Sequence, residues 1–316
     1  MRKVLGLLLL LSVVSAAWAQ ERQDTIVVSR DGTGNFRTLQ EAIESARAFM
    51  DYTVTIYVKN GVYKEKVIVP SWVENIDIIG EDRDKTIITY DDHANINKMG
   101  TFRTYTVKVE GSDITFKNLT IENNAAQLGQ AVALHTEGDR LKFINCRILG
   151  NQDTIYTGAK FTRLYFKDCY IDGTSDFIFG PSTALFEDCI IHSKRNSYVT
   201  AASTPKEAKY GYVFKHCKLT AEPGVDKVYL GRPWRPYAYT LFIECELGKH
   251  IVLAGWHNWG KQSNEETARY MEYKNTGEGA TASERVAWSK QLTKKEAEAV
   301  PVDAIFRTQS DWNPID

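Results

Sequence analysis

A single phrase, Phe-x-x-Cys-x followed by an apolar residue, recurs at Phe143/Cys146, Phe166/Cys169, Phe186/Cys189, Phe214/Cys217 and Phe242/Cys245. A degenerate copy, Phe116-Lys-Asn-Leu119-Thr-Ile, precedes them, and the successive spacings are 27, 23, 20, 28 and 28 residues. Periods of this size belong to solenoids, in which one repeat cannot bury its apolar face alone. Each phrase alternates apolar and polar residues and is rich in aromatic and β-branched types, so it reads as a strand. No long helical pattern separates the copies, which excludes alternating strand–helix units. The expected fold is all-β, a parallel β-helix adding one strand roughly 4.8 Å above the last at each turn. Unequal periods imply loops of unequal length. All five cysteines occupy the repeated phrase. At one offset in stacked strands they form an inward ladder of small apolar side chains rather than disulfides. No CxxC or HxxxH spacing suggests a metal site.

The ends read differently. Arg2 and Lys3, the apolar run Val4–Val14 and the small-x-small triplet Ala17-Trp18-Ala19 form a secretory signal peptide over residues 1–19. The run is too short for a membrane anchor. Residues 20–316 are expected to be one domain, exported to the periplasm or secreted after cleavage near Ala19. Without Arg2 and Lys3 the chain has 37 basic (39 − 2) against 40 acidic residues, a net of −3, which argues against a nucleic-acid partner. Thr38-x-x-Glu41 is a capping box opening an amphipathic helix to about Met50, with Leu39, Ala42, Ile43, Ala46 and Phe49 on one face. Such a helix covers the open end of a solenoid. Val54–Val58, Lys66–Val69, Asn75–Ile79 and Thr86–Thr89 read as early strands, with Gly61-Val-Tyr-Lys-Glu65 as a turn. From Ala280 the repeat is lost. Thr293-x-x-Glu296 caps a short helix, and Val300–Asp316 reads as an irregular tail.

Chemistry concentrates in residues 150–180. Asp153 lies seven residues after Cys146, and Asp176 seven after Cys169. Equal offsets in consecutive repeats make the two carboxylates stacked neighbours. Gln130 stands at the start of an apolar strand, Gln-Ala-Val-Ala-Leu134, Gln152 adjoins Asp153, and Gly231-Arg232-Pro233-Trp234 fixes a cation and an aromatic ring in a rigid setting. A carboxylate pair can run glycoside hydrolysis or acyl transfer. Two amide donors favour acyl transfer, because they are parts of an oxyanion hole. No histidine lies in a serine-hydrolase phrase. Gly32-x-Gly34 lacks the third glycine of a phosphate loop.

Five phrases, in order, carry a resemblance: Gly61-Val-Tyr-Lys-Glu65, Gln130-Ala-Val-Ala-Leu134, Gln152-Asp-Thr-Ile-Tyr156, Asp176-Phe-Ile-Phe-Gly180 and Leu230-Gly-Arg-Pro-Trp234. With the Asp31-Gly-x-Gly-x-Phe36 opening, the chain resembles the pectin methylesterases from about Thr25 to Trp288, in a bacterial exported form without an inhibitory pro-region. The resemblance implies a right-handed parallel β-helix that removes C6 methyl esters from homogalacturonan, giving pectate and methanol. It implies Asp176 as nucleophile, Asp153 as general acid and then base, and Gln130 and Gln152 at the oxyanion. Arg232 would pair with Asp176, Trp234 would stack on sugar, and Thr101 would touch substrate. Tyr156, Phe179 and Trp256 would line the cleft. No cofactor or metal is implied, and the expected partner is methyl-esterified pectin bound by a monomer. Thr200-Ala-Ala-Ser203 departs from the Thr-Ala-Gln-Gly of plant members, so one cleft-loop contact is expected to differ. The Asn-Thr-Asp, Asp-Asp, Gly-His-Gly and Arg-x-Lys phrases of β-helix polygalacturonases are absent. An offshoot acting on a thioester is disfavoured by the intact Arg232/Trp234 platform.

Overall fold

The computed structural model describes residues 25–315, so the expected signal peptide lies outside the described residues. The chain winds a right-handed parallel β-helix of three sheets with 11, 7 and 8 strands, and every strand pairing in them is parallel. Each complete turn contributes one strand to each sheet, and the longest sheet is extended by further strands at both ends. The third turn of the repeated region, for example, runs through Arg163–Lys167, Tyr170–Gly173 and Ile178–Gly180.

The repeated phrase spans the corner between the 11-stranded and 8-stranded sheets. Its phenylalanines point inward and stack, with ring centroids 5.4, 4.7, 4.6, 4.6 and 4.4 Å apart from Phe116 through Phe242. Burying each ring contributes roughly 1.5–3 kcal/mol, so the ladder is a principal source of cohesion between turns. The cysteines are buried and unpaired, and each thiol donates to the carbonyl of the phenylalanine one turn earlier, as Cys169 does to Phe143 at 3.3 Å. The corner needs a left-handed residue. Asn118, Asn145, Asp168, Asp188, His216 and Glu244 all have φ between 50 and 58°. Asn and Asp dominate because short polar side chains tolerate this region best.

The capping box is present: Thr38 accepts from the Glu41 amide, and the Glu41 carboxylate accepts from Thr38. The helix, Leu39–Glu44, is shorter than its pattern predicts. It ends at Ser45, and Phe49 is 74% exposed in a left-handed turn with its amide on the Trp72 carbonyl. Apolar periodicity there continues past the point where the chain must turn into strand Val54–Val58. Gly61–Lys64 is a strand rather than a turn, with Tyr63 buried and its hydroxyl donating to Lys59. Glu65, next to it, accepts from the Leu39 and Gln40 amides at 3.0 and 3.1 Å and fixes the helix start to the first turn.

The C-terminal segment is not irregular throughout. Thr293 caps Lys294–Glu298 as expected, but Val302–Phe306 is also helical. Ile305 and Phe306 bury against Tyr165, Leu185, Val213 and Leu241 on the outer face of the long sheet. Arg163, buried, holds this segment: it pairs with Asp139 at 2.6 Å and donates to the Phe306 carbonyl at 2.7 Å. Helix propensity in so short a stretch is weak, and the outer apolar stripe decides.

Candidate active site

The seven-stranded sheet presents the cleft. Ile155–Thr157 and Ile178–Gly180 are neighbours there, with Ile155 opposite Ile178 and Tyr156 opposite Phe179. Asp153 and Asp176 therefore stand at equivalent positions one strand apart, roughly 4.8 Å in spacing. Both have left-handed backbones, φ 67° and 48°, at the turn entering the strand. Aspartate accepts that geometry at little cost, and strained positions of this kind concentrate at functional sites.

The two carboxylates have unlike surroundings. Arg232 grips Asp176 with two prongs, Nε to Oδ1 at 2.9 Å and Nη2 to Oδ2 at 2.6 Å. The guanidinium is itself sandwiched, 3.7 Å from the Trp259 ring centroid and 3.9 Å from that of Tyr198. Asp153 is also buried, and while its backbone amide donates to the Ser175 carbonyl, its carboxyl has no hydrogen-bond or ion-pair partner among the described residues. Burial pushes both carboxyls above the ordinary range. For Asp153 the charge of Asp176 adds to burial and the rise is large; for Asp176 the arginine pulls the value back.

The cleft, of about 260 Å³, is lined by Thr101, Gln130, Gln152, Asp153, Asp176, Phe179, Arg232 and Trp234, all singled out from sequence, together with Phe102, Ala201 and Trp259. Gln130 does not itself open a strand: residues 131–133 are buried, and the strand is Leu134–Thr136. Tyr156, expected to line the cleft, is not among the residues that do: half-buried, it stacks one strand away from Phe179 and also meets Phe102, each ring centroid 4.7 Å away. Phe179 meets Trp234 edge-on at 5.7 Å. Ala201 stands in the Thr200-Ala-Ala-Ser203 stretch where a different contact was expected.

Trp256 does not line the cleft. It is 1% exposed, stacks on Tyr270 at 4.3 Å, and donates to the buried Glu272. A bridge between Gly231 and Trp256 continues the sheet and turns that side chain inward. The chain then turns through Trp259 (φ 62°), and it is this ring that reaches Arg232. The signal available in sequence was the pair Trp256-His-Asn-Trp259, which offers two candidates without ranking them. Nothing in sequence pointed to Tyr198. Among the described residues one trio could approach a metal ion, Glu187, Asp188 and His216, on an outer corner away from the cleft. It is already engaged: Lys167 reaches both acids, and His216 lies 3.2 Å from Glu244.

Comparison with known proteins agrees with this arrangement. The pectinesterase family model matches residues 25–308. Pectinesterase 31 of Arabidopsis thaliana is 39% identical over 281 residues, covering 85% of this chain and 88% of the relative. A solved structure, pectin methylesterase from carrot, superposes with a TM-score of 0.85 at 34% identity, over 89% of this chain and 92% of that one. Another, a pectin methylesterase variant in complex with a hexasaccharide, gives 0.80 at 28% identity, over 92% and 98%. With a matching model over nearly the whole length and a relative of this identity and coverage, the chain belongs to the pectinesterase family.

Proposed function

We propose that this protein is an aspartyl esterase that hydrolyses the C6 methyl esters of homogalacturonan, releasing methanol and leaving pectate. Family membership carries the activity, and the solved relative bound to a hexasaccharide supports a sugar polymer as its substrate. The observation that supports the division of labour is the two-pronged contact of Arg232 with Asp176, beside an unpartnered, buried Asp153.

Asp176, kept ionised by Arg232, attacks the ester carbonyl carbon. The amides of Gln130 and Gln152 hydrogen-bond the oxyanion of the tetrahedral intermediate. Asp153, protonated because its charge is disfavoured by burial and by Asp176, gives its proton to the departing methoxide. The product of this half is a mixed anhydride on Asp176 and free methanol. Asp153, now ionised, takes a proton from water, which attacks the galacturonyl carbonyl of the anhydride; Asp176 leaves as a carboxylate, and the new galacturonic acid loses its remaining proton to solvent. Trp234 and Phe179 supply the apolar surface for the sugar, and Thr101 a polar contact at the rim. Tyr156 acts by supporting Phe179. No step requires a metal or cofactor.

No helix among the described residues is long and apolar enough to cross a membrane. The leader-like residues 1–19 support export, and the reading adopted is of a single domain starting near residue 20 that works as a monomer. The test is methanol release from highly methylated pectin with polymer length followed in parallel. Methanol without shortening is expected; shortening without methanol would mean a glycosidase and overturn the reading.

A further inference from the structure

A planar fork keeps both prongs on a carboxylate only while its plane is held. The Arg232 guanidinium is held by Tyr198 and Trp259, and Trp259 is a costly residue for that place. Its backbone is left-handed, φ 62°, a conformation that a bulky side chain adopts only with strain. The contact that offsets the strain comes from His257, whose Nδ1 accepts from the Trp259 amide at 3.0 Å. Asn258 repeats the device one residue later, with Oδ1 accepting from the Gly260 amide at 2.8 Å. A side chain that accepts from the backbone two residues on closes a turn of this kind.

His257 is itself fixed. Its amide donates to the Gly231 carbonyl at 3.1 Å. Gly231 pairs with Trp256, so His257 is the residue after Arg232 in the stack. Its ring centroid is 5.3 Å from those of Tyr198 and Tyr229, which stack on each other at 5.3 Å. Burial, and then the charge of Arg232, hold the imidazole pKa below its ordinary value, so Nδ1 stays an acceptor. Neither Tyr198 nor His257 is among the residues lining the cleft.

Resting on the reading of Asp176 as the nucleophile of a pectin methylesterase, we infer that His257 and Tyr198 are positioning residues for Arg232. His257, through Nδ1, latches the turn that seats Trp259 on the guanidinium, and Tyr198 braces the same group with its own ring. The test is kcat against pH on highly methylated pectin for His257→Ala, His257→Asn, Tyr198→Leu and Tyr198→Phe, with Arg232→Ala alongside and Tm for each. His257→Ala should lower kcat about fivefold, the size of one lost hydrogen bond, and move the acidic limb up by about half a unit. Asparagine offers Oδ1 in place of Nδ1, as Asn258 does next door, and should restore most of both. Tyr198→Leu should move the limb the same way, whereas Tyr198→Phe keeps the ring and should hold it near the wild-type position. The two braces stand on different strands, so the tyrosine pair decides if His257→Ala does not fold. A limb that moves in Arg232→Ala but in neither His257→Ala nor Tyr198→Leu would overturn the proposal, whatever the change in Tm. So would His257→Asn behaving as alanine does. Absence of methanol release by wild type would overturn the pectin reading instead.

Discussion

Replacing Arg232 by alanine separates the electrostatics of the pair from the rest of the cleft. The contact is short and doubled, 2.6 and 2.9 Å, which places the charge centres about 4 Å apart. At that distance, and at the effective dielectric of a protein edge, the attraction is about 4 kcal/mol, or about three pKa units. The arginine side chain is 21% exposed and that of Asp176 9%, so water entering the vacated space returns part of this. A rise of the Asp176 pKa on the order of 1–2 units remains. Asp176 must be ionised to attack, so the acidic limb of kcat against pH should move upward by that amount. Arg232 also lowers the Asp153 value through space. Asp153 must be protonated to act, so the basic limb should move upward too, but less, because no direct contact is lost. Lysine at 232 should restore the limb only in part, since a point charge cannot make the fork or fill the space between Trp259 and Tyr198. The measurement is kcat and KM against pH for the three proteins. An acidic limb that stays in place in Arg232→Ala would refute the pairing as the determinant of the nucleophile's charge, whatever happened to the rate.

Asp176→Asn should fold normally, because Asn accepts φ 48° as Asp does, and should release no methanol beyond a trace; measurable turnover by the purified variant would remove Asp176 from the role of nucleophile. Trp234→Ala should raise KM by roughly 1–3 kcal/mol equivalent and leave both pH limbs where they were, as loss of a stacking platform does. Asp153→Asn should gain stability over wild type as pH rises. A carboxyl raised in the folded state binds its proton more tightly there, so its burial destabilises progressively from about pH 3.9 up through its raised value, and the amide escapes this; a Tm difference that is equal at pH 4 and pH 8 would contradict it. Incubation with EDTA should leave kcat unchanged, and activity lost to EDTA and restored by calcium would overturn the mechanism proposed.

The architecture was legible because its determinants are local and repeated. A Phe and a Cys at fixed offsets can only coincide in space if the strands stack, and the matched offsets of Asp153 and Asp176 place the pair by the same reasoning. What escaped depends on where the chain leaves the repeat. The first helix ends at Glu44 because the following strand claims the backbone, although Ala46 and Phe49 keep the helical period. Val302–Phe306 is a helix because the outer stripe of Tyr165, Leu185 and Leu241 needs a cover, which no local pattern announces. Trp256 and Trp259 have equal standing in sequence; only the bridge to Gly231 turns the first inward and leaves the second for Arg232.

The register also accounts for why two aspartates in one local setting would divide the work as proposed. Counting from Leu134 opposite Ile155, the position before Asp153 in the stack is Val132, wholly buried and apolar. Counting from Ile178 opposite Thr200, the position after Asp176 is Tyr198, whose ring lies against the Arg232 guanidinium. Asp153 thus has an apolar neighbour on one side and a carboxylate on the other, and both disfavour its charge. Asp176 has the carboxylate on one side and the arginine on the other, and the short contact outweighs the longer one. The asymmetry does not come from the two aspartates or their strands, which are alike in backbone and offset. It comes from the turns above and below them. Exchanging the chemistry of the two carboxyls would therefore require moving the cation to the Val132 side rather than altering either aspartate.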